Sequence, residues 1–159
     1  MPLVPCLAWG FGIAGPALLG LVLVIWCERR GWLPREPELV YLLMPQTPRE
    51  KMWAVLIVSP TAAFCEEFLF RGFLQQQFAR ASGRVWVGVV VSAVLFGCAH
   101  GYEGIAGMLL ITAYGAMFGV LALFRRGLRT GMIAHAWHDS VSGVALVLMR
   151  HYGVHIAGK

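Results

Sequence analysis

The chain has 159 residues, 58% of them hydrophobic and only 13% charged, with a formal net charge of +5 and a mean hydropathy of +0.69. A soluble domain carries about 25% charged residues, so a soluble fold would leave long apolar helices with nothing to bury against, and the composition points to an integral membrane protein. The positive charge does not mark a nucleic-acid binder: the arginines sit between apolar runs (Arg29, Arg30, Arg35; Arg80, Arg84; Arg125, Arg126, Arg129), as bases flank membrane spans, without the aromatic interleaving that grips single strands.

In chain order, residues 2–27 are uncharged and long enough to cross about 30 Å of hydrocarbon. They are too long for a signal h-region, lack a basic n-region and show no cleavage site before Glu28, so residues 1–27 are read as a first span. Residues 28–51 form a polar connection punctuated by Pro34, Pro37, Pro45 and Pro48, with the short LVYLLM at the interface. Residues 52–79 read as one long helix, apolar to Cys65 and amphipathic beyond it, with a bend expected at Pro60. After an ASGR turn come helices over 85–102, 104–124 and 131–149. Gly104, Gly107, Gly115 and Gly119 are spaced to let helices approach closely. The expected fold is an all-α, polytopic transmembrane bundle of about five membrane helices, the second carrying a bent or amphipathic extension. Residues 52–149 form its core and 150–159 a short polar tail.

The basic loops around Arg80–Arg84 and Arg125–Arg129 are consistent with one cytoplasmic face, but strict alternation then places the bases of 28–51 on the other side. The four cysteines form no CxxC. Cys6 and Cys27 read as apolar fillers, whereas Cys65 and Cys98 flank polar residues of the helices.

Three ionisable clusters interrupt the apolar helices. Each such charge costs about 2.5–3.5 kcal/mol at a membrane helix centre, which makes these residues candidates for function. In EEFLFR, Glu67 and Arg71 stand at i and i+4, the favoured ion-pair order. Glu66 points about 100° away and has Ala62 and Ala63 one turn back, so it is a spare carboxylate beside space and a candidate general base. In FGCAH, Phe96 and His100 share a face; in HAWHD, His135 and Asp139 share a face and His138 points elsewhere. On ideal helices His100 falls roughly 10 Å deeper than Glu66 and Asp139.

The order EExxxR (Glu66, Glu67, Arg71), FxxxH (Phe96, His100) and HxxxN with aspartate in place of asparagine (His135, Asp139) resembles the CPBP family of intramembrane proteases. That family includes the type II CAAX prenyl endopeptidases and bacteriocin-processing, Abi-like proteins. The resemblance implies a membrane endopeptidase in which Glu66 activates water, His100 assists, and His135 with residue 139 stabilises the oxyanion, while Glu67, Arg71 and Phe96 support the site. Its substrate would be a membrane-associated peptide or protein, lipidated or not, and its location a bacterial inner (plasma) membrane. Partners are therefore substrate and lipid bilayer, with no nucleic acid. The family supports both glutamate and metal chemistry. Zinc would draw its ligands from His100, His135, Asp139 and Glu66, but no HExxH pairs the histidines on one helix, so no cofactor is favoured. An ionised aspartate at 139 would repel an oxyanion, so Asp139 is protonated, orients His135, or binds metal. The rival reading is a non-catalytic membrane protein, an immunity partner or a proton- or ion-coupled carrier, though no inverted repeat is visible.

Overall fold

The computed structural model describes residues 44–151 without a break, together with isolated residues between 19 and 42; nothing is described of side chains beyond Val144. Most of the expected first span and part of the connection after it lie outside the described residues, as does the tail beyond His151. Within the described residues the chain is all-helical and contains no strand.

Helix α1 runs Pro48–Ser82, starting four residues before the expected position. Its start is a capping box: the Glu50 amide donates to the Thr47 hydroxyl (3.2 Å) and the Thr47 amide donates to the Glu50 carboxylate (3.1 Å). Pro48 occupies the first turn, where its missing donor costs nothing. The sequence TPRE carried this signal. Ahead of Pro60 the ladder widens into a π-helix over Ala54–Val58, and Ser59 donates its amide and its hydroxyl (2.9 Å) to the Ala54 carbonyl. A second π segment, Glu67–Leu74, contains most of the EExxxR motif; such wide turns are rare and concentrate at functional sites.

Gly83 ends α1 in the left-handed conformation (φ +67°), where a side chain would be strained, and the chain turns back as α2, Val85–Ala99. After a 3₁₀ turn, Gly101–Glu103, come α3, Gly104–Arg125, and α4, Arg129–His151. Helices α1 and α3, the latter counted with its 3₁₀ turn, are long and apolar enough to cross a membrane. The 15 residues of α2 reach only about 22 Å, because the helix stops at His100 instead of continuing to Tyr102.

The helices pack as α1 on α2, α2 on α3, and α1 on α4. Glycines set these distances. A Cβ at Gly88 would collide with the Gln75 carbonyl, and one at Gly97 with Thr112. Gly115 and Gly119 of α3 meet Ala93 and Val89 of α2. The interior holds Tyr114, Phe118, Leu121 and Ala134. Outside, Phe64, Phe68, Val90, Ile105, Leu109 and Phe124 are exposed, an apolar surface suited to lipid rather than water.

Candidate active site

The site is built around a charge with no access to solvent. Arg71 Nη1 lies 2.9 Å from Glu67 Oε1, and the two side chains are 1% and 0% exposed. Arg71 Nη2 donates to the Gly115 carbonyl of α3 (3.1 Å). Its guanidinium lies over the Phe96 ring at 4.4 Å and near the Phe118 ring at 5.5 Å, where ring faces attract a cation. One turn on, Gln75 Nε2 donates to the Gly119 carbonyl (3.2 Å). Arg71 and Gln75 thus form two rungs from α1 to α3, each ending on the carbonyl of a glycine. Ser92 Oγ of α2 donates to the Phe70 carbonyl (2.7 Å). Nothing in the local sequence pattern announced Gln75 as part of this brace.

His135 of α4 is the hub. Its Nδ1 lies 3.0 Å from Glu67 Oε1, and its ring stacks on Phe118 at 4.9 Å and meets the edge of Phe96 at 6.0 Å. A carboxylate paired with arginine only accepts, so Nδ1 carries the hydrogen and donates. Glu67 therefore does more than neutralise Arg71: it fixes the orientation of an imidazole 68 positions away. Gly131 makes room for it, since a Cβ there would stand 2.9 Å from Glu67 Oε2.

The remaining nitrogen, His135 Nε2, faces two further carboxylates. Glu66 Oε2 and Asp139 Oδ1 each lie 3.6 Å from it, beyond a direct hydrogen bond and at a separation where a bridging water or mobile proton is to be considered. Glu66, expected to have no partner, thus has His135. The side chains of Glu66 and Asp139 are 29% and 31% exposed, in contrast to the sealed Glu67–Arg71 pair.

His100 closes the other side. Its Nδ1 is 2.9 Å from the Phe96 carbonyl, which can only accept, so its Nε2 is the nitrogen left for other partners. The ring packs on Phe96 at 4.9 Å and near Tyr102 at 5.8 Å. Charge interactions connect Glu66 to His100, His135, Asp139 and Arg71. The expected depth mismatch does not arise. Gly83 is equidistant in sequence from Glu66 and His100, so antiparallel packing of α1 on α2 brings them level. The amphipathic extension of α1 lies inside this pairing, as contact between Gln75 and Gly88 shows.

The sequence pattern also missed three groups. His138 was expected to point away, but its Nδ1 is 3.4 Å from Asp139 Oδ1. Glu103 interacts electrostatically with His100 and Tyr102 at the α2–α3 connection. Tyr114 packs its ring 4.5 Å from that of His138. Cys65 and Cys98 are exposed free thiols.

Among the described residues no three or more His, Cys, Asp or Glu side chains are arranged to hold a metal ion. His135 Nδ1 is already engaged by Glu67.

The model of the Rce1-like type II CAAX prenyl endopeptidases matches residues 48–141, more than half of the chain. The match begins with α1 and extends just past Asp139, enclosing all three motifs. No curated protein and no solved structure matches the chain. With apolar helices enclosing a carboxylate–histidine cluster, and with this match, the chain belongs to the Rce1-like type II CAAX prenyl endopeptidase family, whose members are membrane-embedded proteases.

Proposed function

We propose that the protein is a polytopic intramembrane endopeptidase of the glutamate type. Its catalytic core would be residues 52–149, following an N-terminal membrane helix at 1–27. Glu66 takes a proton from a water held between its carboxylate and the Nε2 atoms of His100 and His135. The water oxygen attacks the scissile carbonyl carbon, and the carbonyl electron pair moves onto oxygen. His135 faces that oxyanion with Nε2 while Glu67 holds Nδ1, so that the imidazolium form has counter-charges at both nitrogens. Glu66 then returns its proton to the departing amine as the C–N bond breaks. Asp139 orients and balances His135.

The observation that carries this reading is the asymmetry around one imidazole. Its Nδ1 is fixed by a sealed carboxylate at 3.0 Å, and its Nε2 faces two half-open ones at 3.6 Å. A general base must reach its proton directly or through one water, and Glu66 meets that requirement beside a histidine whose orientation is fixed. The substrate class we infer is a membrane-associated peptide or protein, with a prenylated C-terminal segment as the first candidate.

The test is cleavage of farnesylated CAAX-type peptides, and of unlipidated counterparts, by protein reconstituted in liposomes. Glu66→Gln should lower kcat by about 10³-fold or more while leaving the fold intact. A folded Glu66→Gln protein that cleaves at the wild-type rate would overturn the mechanism. Chelation should leave the activity unchanged; stoichiometric zinc that departs together with activity would overturn the metal-free assignment.

A further inference from the structure

His138 occupies a variable position of the third motif, yet it is bound on three sides. Its Nδ1 is 3.4 Å from Asp139 Oδ1, its Nε2 is 3.1 Å from Ser142 Oγ, and its ring rests on Tyr114 of α3, with centroids 4.5 Å apart. Tyr114 is 7% exposed. Asp139 Oδ1 is therefore approached by two imidazoles, His135 at 3.6 Å and His138 at 3.4 Å.

We propose that His138 is a positioning residue for Asp139: Ser142 and Tyr114 hold its ring in place, and the Asp139 carboxylate selects the Nδ1–H tautomer, which presents a hydrogen to the carboxylate that faces His135. The hydrogen count supports this assignment. An ionised carboxylate only accepts, so a hydrogen on His138 Nδ1 makes the Asp139 approach favourable. A neutral imidazole then has a bare Nε2, which accepts from the Ser142 hydroxyl. Ser142 stands one turn after His138, where a helical serine often donates to the i−4 carbonyl; here its hydroxyl meets the ring instead. The opposite tautomer would set a nitrogen lone pair against a carboxylate.

The consequence for the proposed chemistry concerns residue 139. The family motif has asparagine there, whose amide carries its own donors. Aspartate has none when ionised, and His138 places a donor beside it, which keeps the carboxylate directed at His135 and away from the oxyanion. This consequence rests on the proteolytic reading; the tautomer itself does not.

Two measurements on the full chain decide it. In detergent at about pH 9, where imidazoles are neutral, ¹⁵N spectra of histidine-labelled protein should show His138 with a protonated Nδ1 and a bare Nε2, the signal being assigned by its loss in His138→Gln. Asp139→Asn and Ser142→Ala should each disturb that signature. A wild-type His138 protonated at Nε2, or a signal unmoved by Asp139→Asn, overturns the proposal. With the farnesylated peptide, His138→Gln should lower kcat about tenfold with KM little changed, but less than about twofold in an Asp139→Asn background, since coupled groups are non-additive. Equal losses in both backgrounds overturn it as well. If no form cleaves, the proteolytic reading fails while the spectra still judge the tautomer.

Discussion

Glu66 and Glu67 are adjacent in sequence and opposite in environment. Glu67 is fully buried, touches Arg71 and His135, and belongs to a brace that continues through Gln75 to the carbonyls of α3. Glu66 is 29% exposed and meets the same imidazole at its other nitrogen, 3.6 Å away. One region seals a charge and so fixes geometry; the other leaves a carboxylate partly open to its surroundings. The difference teaches that a buried ion pair here serves position: such pairs add little net stability but are costly to break.

The comparison can be broken most forcefully at the sealed side. Glu67→Ala should destabilise the protein by about 3–5 kcal/mol, because Arg71 is left buried without a counter-charge; thermal unfolding in detergent would register this as a large fall in Tm or as failure to accumulate folded protein. Gly88→Ala should cost about 1–3 kcal/mol by forcing α2 away from the Gln75 carbonyl, and the unfolding midpoint in detergent would register the loosened pair. Gln75→Leu removes the rung to Gly119 and should cost about 1–3 kcal/mol, since the Gly119 carbonyl loses its side-chain donor, with unfolding midpoints as the measure. Glu66→Gln should change stability least, within about 0.5 kcal/mol, while removing cleavage. If Glu66→Gln unfolded the protein and Glu67→Ala did not, the division of labour between the two glutamates would be wrong.

Much of the local arrangement could be read directly. Glu67 with Arg71, and His135 with Asp139, stand four residues apart on single helices, so helical geometry alone brings them together. The helical class, the turn at Gly83 and the close approach at Gly115 and Gly119 follow equally from short-range pattern. The capping box at Thr47 and Glu50 is just as local, but it is a polar signal that precedes the apolar pattern of the helix. The five expected spans are a different case: within the described residues two helices meet the length and apolarity that a membrane crossing requires.

In EEFLFR, the i,i+4 spacing pairs one glutamate with the arginine and leaves the other out of that pair, a property of a single helix. What each glutamate faces across the bundle depends on how the helices pack. Glu67 holds His135, Arg71 and Gln75 reach α3, His100 comes level with Glu66, and His138 packs on Tyr114 of α3. These contacts join residues on different helices. Their distances depend on where Gly83 turns the chain, how near Gly88 and Gly97 let α2 approach, and how the π segment widens α1. None of those is encoded in the spacing of any single motif.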